Sequence, residues 1–404
     1  MSAPLHPGLA PTRRAPYLTS RLQGLGTTIF AEMSALAGRT GSVNLGQGFP
    51  DADGPPEVLE AAVAAIRTGH NQYPPGPGTA ELRQAIAEHQ KRFYGLDVDP
   101  DTEVLVTAGA TEAVAATILA LCEPGDEVVT FEPFYDSYAA AIAFAAAQRR
   151  VVPLEAPTWA LDPERLAATI TARTRLLLLN DPNNPTGKVF TEAELDAIAE
   201  ICVRADLLAV TDEVYEHLLF DGAVHHPLAT RPGMAERTVT ISSAGKTFSV
   251  TGWKIGWACG PAPLVAAVRT AKQFLTFVNG APFQPAIAAG LRLPDAYFAD
   301  AAASLAARRD RLCDGLAALG LEVLRPAAGY FAMVDIRSVG ERDGVAFCRR
   351  LPERAGVVGI PASAFYDDTD AGRPLVRLAY CKQPEVLDEA LRRLGRLTSD
   401  RPRP

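Results

Sequence analysis

Short apolar runs alternate with stretches of helical apolar spacing through the middle of the chain. Pro and Gly punctuate the boundaries. Runs typical of strands cover residues 104–106, 127–131, 150–153, 175–180, 207–211, 238–241 and 254–259. Helical spacing covers residues 111–121, 137–147, 163–170 and 192–204. Thr191 followed by two glutamates predicts an N-cap for the last of these helices. The alternation favours an α/β domain whose mixed, mostly parallel sheet is covered by helices and binds ligands at the carboxyl ends of its strands.

The pattern changes after about residue 285. A long helical stretch, 294–319, precedes three short strand candidates at 329–335, 357–360 and 375–380, and a last helix covers about 384–397. This part is typical of a smaller α+β domain. We therefore expect an N-terminal arm (1–20) within a segment 1–45 that joins the small domain, a large ligand-binding domain 46–284, and a small domain 285–404.

Composition excludes several classes of protein. A net charge of −8 argues against nucleic acid or an anionic membrane as main partner, because both need a dense basic surface. The six cysteines and six histidines are scattered without metal-ligand spacing, so we expect no metal and reduced thiols in a cytoplasmic protein. No apolar run is long enough to span a bilayer, and the N-terminus shows no signal-peptide pattern.

Two of the six lysines stand out. Lys246 lies in Ser-Ser-Ala-Gly-Lys directly after an apolar run, where small residues let the backbone approach a ligand, and Lys254 follows eight residues later. One could form an imine while the other holds a phosphate. An ordinary loop lysine explains the segment about equally well. Lys91, Lys272 and Lys382 are interpreted as solvated charges.

Two further motifs follow predicted strands. Asp212, after the run 207–211, could pair with the protonated ring nitrogen of pyridoxal phosphate (PLP), although acidic turn residues are common. Tyr215 could donate to a phenolic oxygen from the same side, or simply pack at a domain boundary. Asn184 lies in a turn fixed by two prolines, where its amide would face a ligand.

Three other segments offer binding groups. Gly109 lies in a turn of small residues between a strand and a helix, whose N–H groups and dipole favour an anion. Tyr135 follows the next strand and could stack on a flat ring. Arg377 is a charged residue inside an apolar strand. It forms either a structural ion pair or a bidentate clamp for a substrate carboxylate.

Together these residues resemble the fold type I PLP-dependent aminotransferases of class I/II. The similarity runs from Val-Asn-Leu-Gly-Gln-Gly-Phe-Pro at 43–50 to Val-Arg-Leu at 376–378. Its most specific part is the ordered set Asn-Asn-Pro-Thr-Gly, Thr-Asp-Glu-Val-Tyr-Glu and Ser-Ser-Ala-Gly-Lys. The branch it resembles holds kynurenine/glutamine transaminases and actinobacterial N-succinyldiaminopimelate aminotransferases.

The resemblance implies a role for each residue. Lys246 would carry the cofactor as a Schiff base and act as general base, Asp212 would hold the pyridinium proton, and Tyr135 would stack on the ring. Asn184 and Tyr215 would bind its phenolic oxygen. The phosphate would be held by the Gly109 turn, Ala110, Thr111, Ser243, Lys254 and Tyr73 of a neighbouring subunit. Gly48, Asn184 and Arg377 would bind the substrate carboxylate. A homodimer with shared active sites is therefore implied, acting on amino acids and 2-oxo acids in a ping-pong cycle.

Two positions depart from the kynurenine-type pattern. Phe30 takes the place of a tryptophan in the N-terminal segment, where it would contact substrate, and Asn279-Gly280 replaces an aromatic-histidine pair. The second change, at a pair that the neighbouring subunit would contribute, opens the pocket and favours the N-succinyldiaminopimelate type over an aromatic substrate. Two other functions remain conceivable. A PLP-dependent C–S β-lyase would eliminate a β-substituent on the same cofactor, whereas a PLP-sensing regulator would need a DNA-binding domain for which the first 40 or so residues leave no room.

Overall fold

The structure is a computed structural model that describes residues 17–23, 25 and 28–399. Most of the arm predicted over residues 1–20 lies outside the described residues. A short 3-10 helix at Ser20–Leu22 precedes the first α-helix. The helices are α1 Ile29–Thr40, α2 Pro56–Arg67, α3 Ala80–Tyr94, α4 Gly109–Leu121, α5 Ser137–Phe144, α6 Pro163–Thr169, α7 Glu192–Arg204, α8 Ala244–Thr247, α9 Ala262–Lys272, α10 Phe283–Leu291, α11 Asp295–Ala318, α12 Gly344–Ala355, α13 Thr369–Gly372, α14 Pro384–Leu394 and α15 Arg396–Ser399. The strands are β1 Val43–Asn44, β2 Val104–Thr107, β3 Glu127–Glu132, β4 Gln148–Pro153, β5 Thr174–Asn180, β6 Leu208–Asp212, β7 Thr238–Ser243, β8 Gly256–Cys259, β9 Glu322–Leu324, β10 Phe331–Asp335, β11 Val357–Val358, β12 Ile360–Pro361 and β13 Leu375–Ala379.

The large sheet has seven strands in the order β2-β8-β7-β6-β5-β3-β4. The strands β4, β3, β5, β6 and β7 pair with one another in parallel, whereas β8 runs antiparallel to both of its neighbours, β7 and β2. Every residue of β2, β3, β7 and β8 is buried, because helices cover both faces and leave no polar side of the sheet. The predicted mixed, mostly parallel sheet is confirmed.

Local sequence signals set the ends of several elements. The Thr191 side chain accepts a hydrogen bond from the backbone N–H of Glu194, and the Glu194 carboxylate accepts one from the backbone N–H of Thr191. This capping box begins α7 where predicted. Each predicted strand of the large sheet is present, with ends shifted by at most two residues. The turns that follow β2, β5, β6 and β7 therefore meet on one edge of the sheet.

A second, antiparallel sheet has the order β12-β13-β10-β9. Its β9 was not predicted, and the predicted strand 357–360 is two strands in different sheets. Gly359 separates them: a Cβ there would lie 2.8 Å from the Leu378 side chain, so only glycine lets the backbone cross at this point. The first of the two, β11, pairs in parallel with β1, which joins the N-terminal segment to the C-terminal part of the chain.

The six cysteines are all free and buried, as expected for reduced thiols. Within the described ranges, none of the helices combines the length and the apolar composition that crossing a bilayer would require.

Candidate active site

A cleft of about 880 Å³ lies at the carboxyl edge of the large sheet, and Phe331 and Arg377 of the small sheet close its other side. Except for Tyr73, all of the predicted site residues line it. They are Phe30, Gly48, Gly109, Ala110, Thr111, Tyr135, Asn184, Asp212, Tyr215, Ser243, Lys246, Lys254 and Arg377. The structure thus brings together side chains that are more than 340 positions apart in the sequence.

Lys246 lies in the single-turn helix α8, immediately after β7. The Tyr330 hydroxyl donates to its backbone carbonyl at 2.7 Å and so fixes its position. Burial lowers the pKa of Lys246, and the nearby cations Lys254 and Arg377 lower it further, against the opposing effect of Asp212. A lowered pKa raises the fraction of neutral amine near pH 7, which is the form that acts as nucleophile or base.

Asp212 ends β6 and is 5% exposed. Burial raises its pKa, whereas hydrogen bonds from the Tyr138 hydroxyl and the Val214 N–H lower it. The sequence interpretation missed Tyr138. The signal was present, since Tyr138 lies three residues after Tyr135, but a tyrosine in an alanine-rich helix is indistinguishable from a core residue.

The turn after β5 is tied to the end of β6 through Asn180. Its side-chain amide donates to the Asp212 carbonyl at 2.8 Å, and its Oδ1 accepts from the backbone N–H of Asn184 at 2.7 Å. The Asn184 side chain then accepts from the Arg377 guanidinium at 2.9 Å. Asn180 therefore aligns Asp212 with Asn184 and, through Asn184, with Arg377.

Arg377 is 2% exposed and has no carboxylate within ion-pair distance in the described ranges. It donates to Asn184 and to the Gly46 carbonyl, its Nε atom has no hydrogen-bond partner, and it lies 3.7 Å from the centre of the Phe331 ring. Phe30 and Phe365 complete the aromatic surroundings. Burial lowers the pKa of Arg377 to about 10, so it stays charged at neutral pH. A buried cation of this kind fits a carboxylate clamp better than a structural ion pair.

Two positive groups meet at the start of α4. Gly109 has φ +75°, a conformation that glycine adopts without strain, and Lys254 has φ +55°. A Cβ on Gly109 would lie 3.1 Å from the Lys254 Nζ atom, so the ammonium group rests against the N-terminal end of the helix. The N-terminus of a helix and an ammonium group are both positive, so together they attract an anion. Ser243 lines the same cleft as Gly109 and Lys254.

Tyr135 and Tyr215 present aromatic and hydroxyl groups to the cleft. Tyr135 contacts the Tyr138 ring edge-on at 5.8 Å, and Tyr215 contacts Tyr330 at 5.4 Å. Burial raises the pKa of both phenols, which therefore remain hydrogen-bond donors at neutral pH.

Tyr73 lies outside this cleft. It is 81% exposed and contacts Phe277 edge-on at 5.5 Å. Phe274, Leu275 and Phe277 are exposed beside it, which makes an apolar surface of neighbouring residues. The expected contact of Tyr73 with a second subunit stays a prediction.

The interpretation of two lysines as solvated charges was wrong. Lys272 is 1% exposed and donates to the carbonyls of Gly76 and Phe277, and Lys382 is 4% exposed and donates to the Phe49 carbonyl at 2.7 Å. Loop carbonyls from distant parts of the chain supply partners that sequence periodicity does not reveal. Lys91 is an exposed charge, as predicted, paired with Asp97.

Two clusters of buried polar side chains lie outside the cleft lining. His225 lies between Glu213, at 2.9 Å, and Asp181, at 3.4 Å. His89 and His217 approach Glu216 closely enough to hold a metal ion. Their Nε2 atoms are 2.6 Å apart, however, so a hydrogen bond between the rings accounts for this pair without an ion.

Comparisons with known proteins give a consistent result. The family described as aminotransferase class I and II matches residues 40–394. A probable N-succinyldiaminopimelate aminotransferase of Mycobacterium tuberculosis is 56% identical over 95% of this chain and 99% of its own. The methionine aminotransferase of Escherichia coli is 40% identical over 94% and 98%.

Solved structures agree with the sequence relatives. The structure of N-succinyldiaminopimelate aminotransferase from Mycobacterium tuberculosis superimposes with a TM-score of 0.93 at 57% identity, covering 94% of this chain and 100% of that one.

Proposed function

Since the chain belongs to the class I and II aminotransferases, whose cofactor is PLP, we propose that its amino donor is N-succinyldiaminopimelate and that a 2-oxo acid is the acceptor. The observation that carries this proposal is the 56% identity to a probable N-succinyldiaminopimelate aminotransferase, sustained over 95% of the chain. Transamination itself follows from membership of the family, and the proposal concerns the substrate and the residues that bind it.

The cleft fits PLP by charge and by shape. Lys246, Lys254 and Arg377 face it without a carboxylate partner within 4 Å among the described residues, while Asp212 faces it as a buried acid. Glu112, in the first turn of α4, does not line the cleft, so Lys254 and the α4 N-terminus present positive charge to it, and a phosphate would bind there. Asp212 supplies negative charge where a protonated pyridine nitrogen would bind.

Each group then has an assigned task. Lys246 would carry the cofactor covalently, Tyr135 would lie against its ring, and Asn184 and Tyr215 would bind its phenolic oxygen. The phosphate would be bound by Ala110, Thr111, Ser243 and Lys254, next to Gly109. When bound, PLP withdraws electrons and thereby makes the α-proton of the amino acid acidic.

The protein groups bind the donor and move its proton. Arg377 binds the α-carboxylate through its two parallel N–H groups, with Gly48 close by and Phe30 covering the guanidinium. This orients the α-carbon toward Lys246, whose amine takes the proton and later returns one. A lowered pKa suits Lys246 to both steps.

The other end of the cleft is apolar and suits a long side chain. Leu18, Leu22, Leu25 and Phe144 line it. Among the lining residues that the structure describes, the basic ones are the three already assigned, so this described lining holds no further cation for a distal carboxylate. We therefore place the methylene chain of the donor on this wall and its succinyl end toward the open side of the cleft.

A second copy of the chain would complete the site. The exposed Phe274, Leu275 and Phe277 next to Tyr73 support a homodimer, because apolar side chains grouped on a surface favour association. The two sheets support a large domain over 46–284 and a small domain over 285–404 with the segment 1–45. The free thiols support a cytoplasmic location.

Steady-state kinetics with several donors tests the substrate. We expect kcat/KM for N-succinyl-LL-2,6-diaminopimelate, with 2-oxoglutarate as acceptor, to exceed that for methionine, kynurenine and aspartate by roughly 10-fold or more. Higher kcat/KM for any of these three would overturn the proposed donor. Replacing Lys246 by alanine should abolish turnover with every donor, and turnover retained by that variant would contradict its role.

A further inference from the structure

Asn279 holds together the two backbone segments that flank the anion-binding end of the cleft. Its side-chain nitrogen lies 3.0 Å from the Thr107 carbonyl, at the end of β2, and 3.0 Å from the Lys254 carbonyl. Both partners are acceptors, so the nitrogen must be the donor and the orientation of the amide is fixed. One side chain thus joins the turn before α4 to the residue whose ammonium group rests against that helix.

Gly280 allows Asn279 to reach this position. It has φ +54°, and a Cβ at this residue would lie 2.4 Å from the Ile255 side chain. Any other residue would be strained at this φ and would have to displace the Ile255 side chain. The dipeptide Asn279-Gly280 therefore acts as a unit.

The backbone of Asn279 is anchored from the other side. The Gln284 side chain donates to the Asn279 carbonyl at 2.7 Å and accepts from the backbone N–H of Thr79 at 2.8 Å. Thr276, three residues earlier, donates to Glu112 of α4, and Glu112 in turn accepts from the Ala108 N–H. Hydrogen bonds therefore connect the segment 276–284 to the turn before α4 and to the first turn of that helix.

We propose that Asn279 is a positioning residue for the phosphate of PLP: it fixes the distance between the N-terminus of α4 and Lys254 without touching the phosphate itself. This proposal rests on the proposed phosphate site. The small size of Asn279-Gly280 would open the substrate pocket. The proposal gives the same pair a second function, within its own subunit.

The test compares two cofactor forms that differ only in the phosphate. Full-length enzyme stripped of cofactor is titrated with PLP or with pyridoxal, and binding is followed by absorbance. In Asn279→Ala we expect the Kd for PLP to rise about 10-fold, because two hydrogen bonds of ordinary strength are lost, while the Kd for pyridoxal changes less than about 2-fold. Thr169→Ala is the control, since its hydroxyl also donates to a carbonyl, that of Arg165, on α6 away from the cleft.

Each outcome is informative. Equal weakening of PLP and pyridoxal binding would overturn the proposal, because it would show a general loosening of the site, and so would unchanged binding of both. If Asn279→Ala does not fold, Asn279→Ser gives the same comparison, since its hydroxyl can reach at most one carbonyl. A wild-type enzyme that binds PLP no better than pyridoxal would instead contradict the phosphate site itself.

Discussion

The hydroxyl of Tyr138 donates a hydrogen bond to the carboxylate of Asp212, with 2.6 Å between the two oxygen atoms. Both residues are buried, on α5 and at the end of β6. Burial raises the pKa of Asp212 and so favours its neutral form, which Tyr138 opposes. The hydrogen bond favours the charged carboxylate, which the proposed pairing with a protonated ring nitrogen requires.

Replacing Tyr138 by phenylalanine should lower kcat about 10-fold with little change in the KM for the donor. The hydrogen bond to a charged group is lost, and the pKa of Asp212 rises further. Steady-state kinetics between pH 6 and 9 measures the effect. The control is Tyr297→Phe, which removes a hydroxyl hydrogen bond outside the cleft. An unchanged kcat across this pH range would show that Asp212 does not depend on Tyr138.

Arg377→Lys should raise the KM for amino donors by about 10- to 100-fold. Lysine keeps the charge but cannot offer two parallel donors to a carboxylate or fill the aromatic surroundings. Arg373→Lys, an exposed residue paired with Asp343, is the matched control and should leave KM unchanged. Equal KM values for the two variants would argue that the α-carboxylate binds elsewhere.

Gly48→Ala should destabilise the protein by about 1–3 kcal/mol, because the new Cβ would lie 2.1 Å from the Cζ atom of Phe331. Phe331 lies under Arg377, so the KM for the donor should rise as well. Gly38→Ala, in α1 with nothing within 4 Å, should instead stabilise by roughly 0.5–1 kcal/mol. Urea denaturation measures the free energy of unfolding of both variants. An unchanged free energy of unfolding in Gly48→Ala would mean that the Phe331 ring moves aside freely.

His225 should make stability depend on pH. Burial alone would lower its pKa, but Glu213 and Asp181 raise the pKa to about 10, above the unfolded value of roughly 6.5. This contribution is complete below pH 6.5 and is lost as pH rises toward 10. The free energy of unfolding should fall by up to about 1.4 kcal/mol per pH unit in this window. His225→Asn should remove this slope, which urea titrations at pH 7, 8 and 9 would measure. An equal slope in wild type and variant would assign the effect to another group.

The sequence was most informative where local rules govern structure. Lys246, Asp212 and Asn184 could be placed together because each follows a strand of a parallel sheet, and the carboxyl ends of such strands share one edge. Thr191 marked the start of α7 because capping depends on neighbouring residues alone.

Residues whose environment depends on distant segments could not be predicted in the same way. Lys272 looked like a solvated charge, yet the carbonyl of Gly76, almost 200 positions away, accepts a hydrogen bond from its ammonium group. The hydrogen bond of Tyr138 to Asp212 also spans two elements. Gly359, which divides one predicted strand into two, is explained by the Leu378 and Val376 side chains against it.

The guanidinium of Arg377 has no counter-charge in the described part of the chain, and this bears on which cellular amines can react. A polyamine, an amino-acid ester or the first residue of a peptide has an amino group but no free carboxylate beside it. None of these can neutralise the buried cation, so each would leave an unpaired charge in the cleft. With Arg377 as the proposed α-carboxylate site, the enzyme would sort free amino acids from other amines by charge, before any side chain is compared.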